Sequence, residues 1–280
     1  MTSGINDAGQ VAGASGTTDE SEHAFITGPN GVGMTDLGTL GGPTSRARDI
    51  NNVGQVVGQS ETADGSIHAF ITGPDGVGMT DLGTMGGTSS LAYGINDAGQ
   101  VVGRFETTAG GFRAFITGSN GMGITDLGTL GGLYSEAFGI NDAGQVVGYS
   151  QTADGFFHAF ITCPNGVGMT DLDTLGGVYS AASRINDSGQ VIGTFFQAFD
   201  PIAGFSFITG PNGMGMTDLW DLYSIGDLPV GGPDGINNLG QVITTIIPEP
   251  ASYALMLAGL GLVGFMVGRK KLSDNIVARG

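Results

Sequence analysis

Apolar and polar positions along this chain recur at a fixed spacing. The pattern I-N-[DN]-x-G-Q-V begins at Ile5, Ile50, Ile95, Ile140, Ile185 and Ile236, so four steps are 45 residues and the last is 51. A second block follows in each period: HAFITGPNGVGMTDLGTLGG from His23, with close copies from His68, Arg113 and His158. The fifth copy, from Phe205, arrives two residues late after the insertion-like TFFQAFDPIAG. A fixed long period of this kind signals a repeat architecture.

Each period reads as four short strands. In the fourth copy the pattern predicts them near Ser135–Asn141, Gln145–Thr152, Phe157–Thr162 and Gly168–Leu175. Asn141-Asp142-Ala143-Gly144 suits a tight hairpin, because Asx side chains cap a turn and glycine accepts the left-handed conformation. Pro164-Asn165-Gly166 is a second turn signal. Before residue 248 no segment has helical periodicity.

Adjacent apolar residues in Val146-Val147 and Ala159-Phe160-Ile161 require both faces of those strands to be covered. Stacking one four-stranded sheet on the next does this, and radial stacking of blades of this length is the β-propeller solution. The expected fold is therefore all-β, a propeller of about 45-residue four-stranded blades. A β-helical or open stacked array is the structural alternative. The Gly-Gly pair after each fourth strand, as at Gly131-Gly132, is reminiscent of a kelch blade, but the Trp of that motif is missing. Residues 1–247 hold five full copies and a partial sixth that supplies two strands. Either the terminal strands close a ring, or the reading frame starts upstream of Met1, which falls inside a repeat. MTSGINDAGQ has neither a basic nor an apolar region, so no signal peptide is visible and the upstream start is favoured.

Composition narrows the function. Residues 1–247 carry 24 Asp and Glu against five arginines, a net of −19, and no lysine. Nucleic acid is excluded as a partner, since phosphate neutralisation needs clustered Lys and Arg. Cys163, the single cysteine, stands where other copies have glycine, so no intrachain disulfide forms.

After Ile247 the composition changes. Pro248-Glu249-Pro250 precedes the uncharged run Ala251–Gly268, which ends at Arg269-Lys270-Lys271; residues 272–280 form a short tail. Eighteen residues make about 27 Å of helix, close to a hydrocarbon core of about 30 Å, so residues 251–268 are expected to form one transmembrane helix. The basic triplet places the C-terminus on the cytoplasmic side and the repeats outside that membrane.

This order of elements resembles the PEP-CTERM sorting signal over residues 247–271. Pro248, Glu249 and Pro250 match its sorting motif, and Arg269, Lys270 and Lys271 its membrane-flanking basic stop. The resemblance implies an exosortase-type processing enzyme as partner, and a cell-surface destination in a Gram-negative bacterium that makes exopolysaccharide. The repeats are similar to the HAF family of probable extracellular repeats, through His23-Ala24-Phe25, His68-Ala69-Phe70 and His158-Ala159-Phe160. That resemblance implies an extracellular location and no established activity.

The periodic polar residues read as structural. His23, His68 and His158 share one position, which Arg113 and Phe205 fill elsewhere, so neither catalysis nor metal binding explains them. Asp7, Asp97, Asp142 and Asp187, with Asn52 and Asn238, are expected to cap hairpin turns. Asp36, Asp81, Asp126, Asp171 and Asp218 are expected to accept hydrogen bonds at blade edges, or to form an acidic ring with weak cation affinity. No nucleophile elbow, zinc-protease helix or phosphate loop occurs. The reading is a non-enzymatic cell-surface or exopolysaccharide-matrix protein, without catalytic residue, metal ligand or cofactor, anchored in the membrane through residues 251–268. The alternative is a secreted propeller that binds a glycan or a divalent cation.

Overall fold

A computed structural model describes residues 2–18, 20–197, 200–222 and 230–246. The first blade holds β1 (Thr2–Ile5), β2 (Val11–Gly16), β3 (Glu22–Ile26) and β4 (Thr35–Asp36), each antiparallel to the next. The second holds β5 (Gly41–Ile50), β6 (Val56–Thr62), β7 (Ile67–Thr72) and β8 (Met79–Gly83). The third holds β9 (Ser90–Ile95), β10 (Val101–Glu106), β11 (Phe112–Thr117) and β12 (Ile124–Gly128). The fourth holds β13 (Gly131–Ile140), β14 (Val146–Thr152), β15 (Phe157–Cys163) and β16 (Val167–Asp171). The fifth holds β17 (Tyr179–Ile185), β18 (Val191–Gln197), β19 (Asp200–Thr209) and β20 (Met216–Asp218). A two-stranded sheet of β21 (Val230–Ile236) and β22 (Val242–Ile246) follows.

The four strands expected in each period are present, with shifted ends. In the fourth blade the first strand begins at Gly131, because Gly131 pairs with Thr152 ahead of the regular register. Its last strand stops at Asp171 rather than Leu175, since the chain turns there to reach the next blade. One helical turn, α1 (Leu219–Leu222), stands where no helix was expected. Each Pro-Asn-Gly turn is a short 3-10 segment with its central residue left-handed, Asn165 at φ 59°. Asparagine tolerates that region better than other residues with a β-carbon.

The core lies between blades rather than within them. Val57, Ala69 and Ile71 of the second blade pack on Ala92, Ile95, Val101, Phe105 and Phe115 of the third. Val56 and Phe70, their sequence neighbours, pack the other way, onto Ala12, Ala24 and Ile26 of the first blade. Adjacent apolar residues therefore cover both faces of the sheet, as their pattern requires. Phe70, Phe115, Phe160 and Phe207 repeat one position and are all fully buried, each contributing about 2–3 kcal/mol of hydrophobic burial. Stability of this kind is a sum of nearest-neighbour contacts.

Serine hydroxyls pin each junction. Ser135 Oγ accepts the Ala114 N–H at 2.9 Å and donates to the Gly128 carbonyl at 2.6 Å. It thereby fills the register slip between β11 and β12 at Ala114 and Phe115. Ser45, Ser90 and Ser180 repeat this bridge at the other junctions. Among the described residues no helix is long and apolar enough to cross a membrane; the transmembrane helix expected at 251–268 lies outside the described residues.

Candidate functional site

The first strands of the five blades and β21 converge at one end, and the fourth and fifth blades are joined in one sheet by the parallel pairing of Phe157 with Tyr179. At one mouth the I-N-[DN] segments of every repeat line a cavity of about 240 Å³. Asparagine builds that mouth. Asn6 Nδ2 donates to the Asn51 carbonyl, Asn51 to Asn96, Asn96 to Asn141 and Asn141 to Asn186, each at 3.0 Å, and Asn186 to Asn237 at 2.9 Å. Each of these donors also accepts, through Oδ1, the N–H of the glutamine four residues on, as Asn96 does from Gln100 at 2.9 Å.

The aspartates expected to cap these turns do something else. Asp97 Oδ1 accepts the Asn52 N–H at 2.9 Å, Asp142 the Asp97 N–H at 3.1 Å, and Asp187 the Asp142 N–H at 3.2 Å. Asn52 and Asn238 fill the same role for Asp7 and Asp187. The turn is capped by the asparagine, and the next residue couples one blade to the next. Being committed to backbone N–H groups, these carboxylates form a structural rim.

The periodic histidines and the T-D-L aspartates meet. His23 Nδ1 lies 2.9 Å from Asp36 Oδ2, and His68 and His158 lie 2.8 Å from Asp81 and Asp171. Arg113 takes the same place beside Asp126 at 2.9 Å. Asp81 also accepts the Gly83 N–H at 2.7 Å, the edge role expected of it. Each pair sits at the surface of its own blade, where such contacts contribute at most about 1 kcal/mol. Cys163 is exposed. Among the described residues no three of His, Cys, Asp and Glu converge on one point where an ion could sit.

Away from that mouth, aromatic rings on the first, second and third strands of neighbouring blades touch one another, a feature the periodic motifs did not reveal. Tyr93 meets Phe138 at 5.5 Å, Phe138 meets Tyr149 at 5.6 Å and Tyr149 meets Tyr179 at 6.3 Å, with ring planes tilted by 59°, 52° and 49°. Phe157 joins Tyr149 and Tyr179 at 5.5 and 6.2 Å. The row thus crosses the third, fourth and fifth blades, with every ring half-buried. Glu136, buried, accepts the Tyr149 hydroxyl at 2.6 Å and pairs with Arg104 at 3.3 Å. Burial and the Glu136 carboxylate together push the Tyr93 and Tyr149 phenols well above their usual range. The only sequence signal was the exchange at aligned positions: Tyr93 and Phe138 stand where the second copy has Arg48.

Asp49 and Arg184 occupy the aligned position where the third and fourth copies have Gly94 and Gly139. Burial lifts the Asp49 carboxyl to about 6, although bonds from the Ile95 and Ile50 N–H groups and the Arg184 charge pull it down. A carboxyl whose folded value lies above its unfolded one lowers stability as pH rises. The loss accumulates between about pH 4 and 6 and is complete above 6, at no more than about 1.4 kcal/mol per pH unit. Asp49→Gly should remove that slope. Urea unfolding of both proteins from pH 4 to 8 checks it: their stability difference should drift toward the variant up to pH 6 and then stay flat.

Pro248, Glu249, Pro250, Arg269, Lys270 and Lys271 lie outside the described residues. Residues 247–271 match the PEP-CTERM protein-sorting motif. No curated protein matches the chain. Among solved structures, a TolB from Agrobacterium tumefaciens is similar at TM-score 0.56 and 11% identity, over 85% of this chain and 90% of that one. TolB from Acinetobacter baumannii is similar at TM-score 0.56 and 10% identity, over 85% of this chain and 61% of that one. At such identities the likeness is one of fold: the chain is all-β and propeller-like, and it carries a C-terminal sorting signal.

Proposed function

We propose that this chain is a non-enzymatic repeat protein of the cell surface or exopolysaccharide matrix, delivered through its C-terminal signal. The observation that carries this reading is the sorting motif at residues 247–271. In this reading the repeats are of the HAF type and stand outside the inner membrane of a Gram-negative cell. Residues 251–268 hold them to the membrane until an exosortase-type enzyme acts at Pro248-Glu249-Pro250. A rigid body supports display. Among the described residues, the four junctions between the five blades are each closed by a shared core and by a serine bridge to backbone, and the net charge of −17 keeps copies apart.

Substituting Pro248→Ala, Glu249→Ala and Pro250→Ala together should leave the full-length chain in the membrane fraction. Fractionation with an antibody to the repeats measures this. Surface delivery equal to that of the unaltered protein would overturn the proposal.

A further inference from the structure

We propose that the free edge of β22 is a docking site for one more hairpin of this repeat, presented by another polypeptide. The hairpin would carry an Ala-Phe-Ile-Thr strand, a Pro-Asn-Gly turn and a Thr-Asp-Leu strand. This goes beyond display and does not depend on how the protein is sorted. In each of the five blades the second strand pairs with a third, whereas among the described residues the last sheet ends at β22. Ile243 of β22 is 71% exposed, although its counterparts Val57, Val102, Val147 and Ile192 are fully buried. A sheet edge with such a residue is a template for an added strand. The last sheet and the first blade also converge on one cavity, lined by Asn6 and Asp7 of one and Ile236 and Asn238 of the other.

Contacts that every other blade makes, and the last sheet lacks, specify the occupant. The Val56 and Val191 N–H groups donate to Thr72 and Thr209 of the third strands, both at 2.9 Å. With no third strand among the described residues, the Val242 N–H has no such threonine. Gln10, Gln55, Gln100 and Gln145 are buried and donate through Nε2 to the turn Asx of the next blade at 3.1–3.3 Å. Gln190, next to the sheet without that turn, is only half-buried.

Apolar contacts repeat the pattern. Ile71 and Ile116 are buried under Gly121 and Gly166, the turn glycines of the blades that follow them. Ile208 of the fifth blade has no following turn and is half-buried. Gly31 of the first blade is the reverse case, with nothing within 4 Å of where its β-carbon would lie. The vacant partners are thus a threonine, an Asx and a turn glycine toward the fifth blade, and an apolar pair toward the first. They match this repeat's own third and fourth strands. All five such hairpins in residues 1–222 are built into their own blades.

A labelled peptide with the sequence Ile67–Gly83, added to the full chain in detergent, tests the assignment. Fluorescence anisotropy should show saturable binding, and hydrogen exchange at the Val242 amide should slow at least about tenfold. Phe70→Ala in the peptide removes a ring that is fully buried in its blade, and should weaken binding at least about tenfold. Ile243→Lys in the full chain, at an exposed site, should retain the melting temperature and weaken binding by at least about tenfold. No binding, equal binding of a scrambled peptide, or unchanged affinity in either variant would each overturn the proposal. A Val242 amide already protected without peptide would also overturn it, by putting another segment or a second copy at the edge.

Discussion

Gly148→Ala is expected to destabilise the fourth blade by about 3–5 kcal/mol, enough to unfold it near physiological temperature in a domain of ordinary stability. A β-carbon there would lie 1.9 Å from the Glu136 carbonyl oxygen and 2.9 Å from Ala137 Cα. Both are backbone atoms of the paired strand, so no side-chain rotation relieves the clash. The crowding follows from the bulge in β13, where the register slips between Ala137 and Gly139 and Phe138 is the extra residue. That slip drives the Glu136 carbonyl toward β14. Gly58, Gly103 and Gly193 meet the same contact at 2.0, 1.9 and 2.1 Å, so the requirement belongs to the blade. Gly123→Ala is the control: Gly123 has φ 64° and nothing within 4 Å of a β-carbon. It should cost only the left-handed penalty of about 1–2 kcal/mol. Urea unfolding of the two variants measures the difference, and equal midpoints would refute the close-approach argument.

Period and burial pattern were sufficient to predict the blade. Val146 and Val147 demand two covered faces, and the structure supplies them from two neighbouring blades. Turn chemistry was legible for the same reason, because a left-handed residue announces itself locally. Contacts between copies were not legible. Asp142 and Asp97 are 45 residues apart, and Asx residues in a hairpin suit capping equally well until the next blade's backbone is in place. His68 and Asp81 were read as separate features, although both recur with every copy; their strands turn them toward each other. Arg113 was the overlooked clue, since replacing His with another cation while Asp126 stays indicates a pair. The aromatic contacts were not legible because their residues differ between copies, as Arg48, Tyr93 and Phe138 do at one aligned position. The repeated residues specify the scaffold.

The largest effect at the asparagine-lined mouth is expected from Asn96. Its side chain is buried at 4% exposure and makes three hydrogen bonds. Oδ1 accepts the Gln100 N–H, and Nδ2 donates to Gln100 Oε1 and to the Asn141 carbonyl, at 2.9, 2.9 and 3.0 Å. Asn96→Ala leaves a buried donor and two acceptors short of a partner, at about 3–4 kcal/mol. Asn96→Asp keeps the acceptor but sets an anion against the two oxygens that Nδ2 served. Repulsion and burial raise the pKa of that new carboxyl, so the variant is weakest near neutral pH and recovers as acid protonates it. Asn237 provides the internal comparison: its side chain is exposed, donates to Gln241 Oε1 at 2.7 Å, and stands at the end of the series. Asn237→Ala should cost no more than about 1 kcal/mol. Unfolding midpoints of the three variants at pH 5 and 7 separate the cases. If Asn96→Ala and Asn237→Ala fall by the same amount, the bond between copies contributes nothing and asparagine serves only its own turn.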